Sequence, residues 1–194
     1  MLKEIHFQNW KSFKQATLYI DQLTLLIGTN ASGKSNLVES LEFFLRRIAI
    51  GKNIQTALSG DSTLSSLRGG LEWIALKSEN QFTLSVLVDS YKKQTDYLYS
   101  ITIKIDSIAQ IISESLRCIK YDESSDQHDI LFETHPQSRD KQHDITELFK
   151  LVYALPSASD DSLSEFPSRQ EMMDGAKAVM SSLENIFILG TCMK

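Results

Sequence analysis

The sequence predicts a mixed α/β fold, on three observations. A short apolar run at residues 23–27, LTLLI, leads straight into a glycine-rich turn, and a helical pattern of apolar residues follows that turn. Between residues 71 and 120 the apolar residues change to period-two alternation, the mark of antiparallel strands. The length of 194 residues, 42% of them hydrophobic, suits one globular domain with a small insert.

The turn is the most specific feature. Gly28, Thr29, Asn30, Ala31, Ser32, Gly33, Lys34 and Ser35 fit the pattern G-x-x-x-x-G-K-[ST] at every fixed position. A random start fits it only about once in 10⁴ to 10⁵. The run at 23–27 reads as a strand buried on both faces. After the turn, Leu37, Val38, Leu41, Phe44, Leu45 and Ile48 recur at helical spacing, with Glu39, Glu42, Arg46 and Arg47 largely off that face. Arg46 and Arg47 suit the negative end of the helix dipole, and Gly51 is placed to end the helix.

Strand, glycine turn and helix together are a phosphate-binding loop. Gly28 and Gly33 lack a β-carbon, so the backbone can approach phosphate. The N–H groups of residues 28–36, Asn36 included, gather at the positive end of the helix. Lys34 is expected to reach the β- and γ-phosphates of a nucleotide and to be the catalytic lysine, and the Ser35 hydroxyl to ligate Mg²⁺.

Composition narrows the setting. A net charge of −5 gives no chain-wide nucleic-acid signature, though a local basic patch stays open. Cys118 and Cys192 are far apart and form no metal spacing, so a reduced, cytoplasmic setting is expected. No apolar run nears the roughly 20 residues that span a bilayer. Glu4 and His6 interrupt the apolar start, which reads as a strand and not a signal peptide.

In chain order, Leu2, Ile5 and Phe7 predict a first strand, residues 9–13 a turn, and Ala16, Leu18 and Ile20 one face of a second strand. Residues 51–70 read as a polar surface excursion, with a short helix open at 61–67. Strands are expected at 71–76, 82–89, 97–105 and 109–120. In the third of these, Tyr97, Tyr99, Ile101, Ile103 and Ile105 face one way and Ser100, Thr102 and Lys104 the other. Residues 121–144 read as a solvated stretch. His128, His135 and His143 there are too widely spaced to make a persuasive metal site. A helix is expected at 145–155, a mobile linker at 157–167, and a capping box at Ser168 and Glu171. Met172, Ala176, Val179, Met180, Leu183 and Ile186 then form a helical apolar face, and residues 184–189 open a strand. One domain thus spans 1–194: strands, loop and first helix at 1–50, meander at 71–120, polar insert at 121–167, helix and strand at 168–189.

The start of the chain, with LKEI, NWKSF and LTLLIGTNASGKSNLVESL, resembles the RecF/SMC-like branch of the ABC-type ATPases. More narrowly, it is similar to small bacterial AAA family ATPases allied to the OLD-type and anti-phage ATPases. The close match covers about the first 50 residues. The resemblance implies the N-terminal half of an ABC-type P-loop NTPase head, with an antiparallel lobe after the first helix and an incomplete core sheet. It also implies ATP and Mg²⁺, head-to-tail dimers and frequent work on nucleic acid. In that family the segment matching residues 9–13 lies beside the nucleotide, so Lys11 and Ser12 are placed to touch base or ribose. The plainer reading is a β-turn in which Trp10 and Phe13 pack the core.

Other family elements have no match here. No apolar strand ends in Asp-Glu, no signature segment carries its glycines (LSEF at 163–166 has none), and no switch histidine is recognisable. Gln81 and Gln94 are weak choices for the Mg²⁺-sensing glutamine. The expectation is a truncated, split or degenerate ATPase, a homodimer or one needing a partner subunit for its C-terminal half, with exposed sheet edges. Two rival functions stand open. One is a self-sufficient small P-loop NTPase or nucleotide kinase using Asp89, at the end of an apolar strand, to hold Mg²⁺. The other is a degenerate, non-catalytic interaction module.

Overall fold

The computed structural model describes residues 1–122, 126–134, 146–153, 169–186 and 188. The fold is mixed α/β. One six-stranded sheet holds β1 (Leu2–Trp10), β2 (Phe13–Tyr19), β3 (Gln81–Asp89), β4 (Thr95–Ile105), β5 (Ala109–Lys120) and β6 (Gln127–Thr134). Its order is β2-β1-β3-β4-β5-β6, and every pairing is antiparallel. The expected strands at 82–89, 97–105 and 109–120 are present; the first two alternate as expected, and the third, apolar but less regular in sequence, pairs with β4 across a register shift. Ile5, Phe7, Leu84, Val86, Tyr99, Ile101 and Leu116 point to one buried face. The other face is polar: Thr83 meets Thr102 at 2.9 Å and Ser85 meets Ser100 at 2.8 Å, hydroxyl to hydroxyl.

Helices cover the apolar face. Helix α1 (Lys34–Glu42) runs on as a wider π-helical turn, Phe43–Ile48, and Gly51 follows at φ 70°. The wider turn buries Phe43 as well as Phe44 and Ile48. It also turns Arg47 inward, against the expectation that it lies off the buried face. Its guanidinium donates to the carbonyls of Ala57 and Ser65, the latter at 2.6 Å. The expected places of Leu45 and Arg46 lie outside the described side chains. Helix α4 (Arg169–Glu184) lays Ala176, Val179, Met180 and Leu183 on the sheet, as its spacing predicts. Gly175 lets it come close, since a β-carbon there would stand 3.0–3.1 Å from Leu131, Leu116 and Tyr97.

Several expectations are corrected. The run at 23–27 is not a strand; Leu23, Leu25 and Ile27 are 90%, 77% and 82% exposed. No described strand pairs with it, and an extended segment without neighbours cannot bury its side chains. The short helix of the 51–70 excursion is α2 (Ile54–Ser59), not 61–67. Asn53 caps it through the Thr56 N–H at 2.7 Å, and Ile54, Ala57 and Leu58 are buried. Residues 71–76 are not a strand but a 3₁₀ turn, Leu71–Trp73, followed by a single bridge between Ala75 and Trp10. The stretch 121–144 is not all loop, because it contains β6, held to β5 at the sheet edge. Ser168 and the linker at 157–167 lie outside the described residues. The strand expected to open at 184 is not formed in the described part: Glu184 still belongs to α4, and residues 185, 186 and 188 are in no strand.

Helix α3 (Glu147–Tyr153) falls inside the expected 145–155. A strand residue caps it. The buried Glu114 carboxylate accepts the N–H of Glu147 at 2.7 Å and of Leu148 at 2.8 Å, and the Tyr99 hydroxyl donates to it at 2.9 Å. Glu114→Ala leaves all three donors without that acceptor. The expected cost is about 1–3 kcal/mol in urea unfolding; a loss under about 0.5 kcal/mol would show that the cap carries little.

Candidate functional site

The site begins where β1 turns into β2. Trp10 ends β1 and is fully buried, and its indole N–H donates to the Asn36 carbonyl at 2.8 Å. Asn36 lies in the first turn of α1, and its side-chain amide donates to the Ser12 hydroxyl at 2.8 Å. The Phe13 ring lies against Gly33, where a β-carbon would come within 2.7 Å of it. The hairpin turn therefore grips the start of the helix at three points.

That start is a glycine turn opening directly into the helix. Gly33 is the N-cap residue at φ 91°, a left-handed conformation that other residues enter at a cost. No side chain caps the helix, and no acidic residue stands in its first turn, so its positive end is not neutralised locally. The Asn36 and Leu37 N–H groups both turn to the Gly33 carbonyl, at 2.9 and 3.1 Å. Lys34 reaches back across the loop, donating to the carbonyls of Gly28 at 2.6 Å and Thr29 at 2.7 Å and to the Ser32 hydroxyl at 3.3 Å. A β-carbon on Gly28 would stand 2.8 Å from the Ser32 hydroxyl. Thr29, Asn30, Ala31, Ser32 and Ser35 are all exposed, so the loop opens to solvent.

Beside the loop lies an ion cluster around a buried carboxylate, absent from the sequence reading. Glu39 of α1 is 7% exposed and pairs with Lys11 and with Arg68. Lys11 also donates to the Arg68 carbonyl at 3.0 Å. Burial pushes the Glu39 carboxyl up, but the hydrogen bonds and charges of Lys11 and Arg68 outweigh it and hold its pKa below the usual value. The Lys11 ammonium is thus committed to Glu39, while Ser12 stays exposed. A groove of about 470 Å³ runs from Asn36 and Ser12 past Lys11 and Arg68 to Trp73 and Lys77.

Other sequence-derived residues fall elsewhere. Asp89 ends β3 beside Leu2, where it pairs with Lys3 at 3.3 Å. Trp10, at the other end of β1, is eight residues from Leu2, roughly 26 Å at strand rise. Asp89 therefore cannot share a metal ion with Ser35, a correction to the small-enzyme reading. Gln94 lies in the β3–β4 turn at the Asp89 end, whereas Gln81 starts β3 at the loop's end of the sheet. His128 is exposed on β6, and His135 and His143 lie outside the described residues. No group of His, Cys, Asp and Glu among the described residues could hold a metal. No described helix is long and apolar enough to cross a membrane. Sequence reading missed Glu39, Arg68 and Trp73; the pairing of Lys11, Glu39 and Arg68 across up to 57 positions leaves no local signal.

A family model described as "AAA ATPase domain" matches residues 1–153. The "Chromosome partition protein Smc" of Methanococcus voltae is 47% identical over 45 residues, which cover 23% of this chain and 4% of that protein. The family match supports a P-loop NTPase fold and an ATPase-type function.

The Glu39 cluster gives a pH test. A carboxylate whose folded pKa is lowered contributes stability above its ordinary value of 4.5 and loses it as pH falls through the folded pKa. Glu39→Gln should therefore be less stable than the wild type at pH 7 in urea melts. The gap should close as the pH is taken below 4.5. A gap constant with pH would remove the cluster from the stability of the site.

Proposed function

Because the chain belongs to the AAA ATPase domain family, we propose that it binds Mg-ATP with the phosphates at residues 28–36, as part of an ABC-type head of the RecF/SMC-like group. The observation that carries this is the crossing of Lys34 over an uncapped helix start, onto the Gly28 and Thr29 carbonyls. It puts a positive charge beside the start of a helix, in a loop that needs Gly28, where a β-carbon would meet the Ser32 hydroxyl, and Gly33, where one would meet Phe13. Lys34 serves the β- and γ-phosphates, the N–H groups of the loop at 28–35 hold the phosphate oxygens, and Asn36 flanks them through its side chain, which is held on Ser12. The Ser35 hydroxyl would hold Mg²⁺, whose charge would offset that of the phosphates. Ser12 flanks the ribose, and Lys11 adds its aliphatic stem and not its ammonium.

Hydrolysis needs a carboxylate to orient water and charge to stabilise the leaving phosphate. We assign these to protein outside residues 1–194, docking along residues 23–27. The exposure of Leu23, Leu25 and Ile27 directly ahead of the loop supports this, since an apolar extended segment asks for strands beside it. The position of Asp89 disfavours the small-enzyme reading.

Two measurements test the proposal. Mg-ATP at about 100 times its dissociation constant should stabilise the chain by about 2.7 kcal/mol, read as a rise in melting temperature. Lys34→Ala should show no rise. Absence of a rise in the wild type would favour the non-catalytic module. Leu25→Ser should change unfolding free energy by less than about 0.5 kcal/mol, because the side chain touches little. It should reduce self-association in light scattering; unchanged association would move the docking edge elsewhere.

A further inference from the structure

The groove beside the loop ends on a feature that phosphate binding does not use. Trp73 is 56% exposed, although the other tryptophan, Trp10, is fully buried. It sits on the 3₁₀ turn after Gly69 and Gly70, and a β-carbon on Gly69 would come within 2.8 Å of the Trp73 side chain. The Lys77 ammonium lies 6.0 Å from the ring centroid, over the indole face. Ser12 and Asn36, at the other end of the groove, are joined by a 2.8 Å hydrogen bond in the first turn of the loop's own helix. The groove thus brings Ser12, which flanks the loop, and the Asn36 side chain, which follows it, onto one surface with an open aromatic face.

Size and chemistry select the occupant. About 470 Å³ lies within the range of small-molecule sites and leaves room for a base and its sugar. A flat indole stacks on any base, and a lysine beside it adds attraction to ring edges and phosphate. The hydroxyl and amide at the near end suit sugar hydroxyls.

We propose that Trp73 is the stacking platform for the base of the bound nucleotide, with Lys77 displaced from the indole face when the base arrives. This rests on the phosphate-loop reading. Trp73 is then a positioning residue: it orients the nucleotide and touches no reacting atom.

The test compares ATP with inorganic tripolyphosphate, which offers the same phosphates without a base. Affinities for both are measured by calorimetry on the whole chain, for the wild type, Trp73→Ala, Trp73→Phe and Lys34→Ala. Trp73→Ala should weaken ATP about tenfold and leave tripolyphosphate unchanged. Trp73→Phe should restore most of the ATP affinity, because a phenyl face still stacks. ATP should also quench tryptophan fluorescence in the wild type but not in Trp73→Phe, whose remaining indole is buried. Unchanged ATP affinity in Trp73→Ala, with binding lost in Lys34→Ala, overturns the platform and leaves the phosphate loop standing. Equal losses for ATP and tripolyphosphate in Trp73→Ala also overturn it, since they mean a disturbed loop. Undiminished binding in Lys34→Ala, or none in the wild type, overturns both readings.

Discussion

The hydrogen bond from the Trp10 indole to the Asn36 carbonyl joins the sheet to the helix that follows the glycine turn. Trp10 is held from three sides. It stacks on Phe43 at 6.1 Å between ring centres, and Phe82 of β3 meets it edge-on at 5.0 Å. A buried indole N–H without an acceptor is costly, so its partner fixes where the helix can begin. The orientation of the loop is therefore set by a residue well outside the loop's own pattern. Phe13 under Gly33 and Ser12 on Asn36 add to the same grip.

A second tie runs through charge. Glu39, one turn further along α1, draws Lys11 from the hairpin and Arg68 from the segment after α2 into one cluster. Three pieces of chain distant in sequence meet there, and a buried carboxylate between two cations is stable only while both partners stay. The cluster also forms one wall of the groove. Its geometry explains why the Lys11 ammonium is not offered to a ligand, although Lys11 lies beside the site.

The sheet treats its two faces differently from the segment that leads into the loop. Its apolar face is covered by α1 and α4, and its other face carries hydroxyls paired across strands, which water or each other can satisfy. Residues 23–27 have neither solution: their side chains are apolar and their backbone has no described strand beside it. That contrast is the physical ground for placing a partner there, since burial of three large aliphatic side chains is the gain that docking would collect.

Local pattern alone determined the glycine turn between Gly28 and Gly33, the alternation of β3 and β4, and the apolar face of α4. Each depends on neighbours within a few residues, where glycine dihedrals and side-chain period act directly. Tertiary structure decided the rest. Apolar content at 23–27 and 71–76 could not say whether strands would lie alongside, so one became an exposed segment and the other a turn under Trp73. The widened turn after α1 reversed the direction of Arg47, which helical spacing places outside. Asp89 ends an apolar strand as a metal carboxylate would, yet the antiparallel pairing of β3 with β1 carries it to the far end of the sheet. Pairing register and the joining of distant charges arise only when the chain closes on itself, because they depend on partners that sequence spacing does not encode.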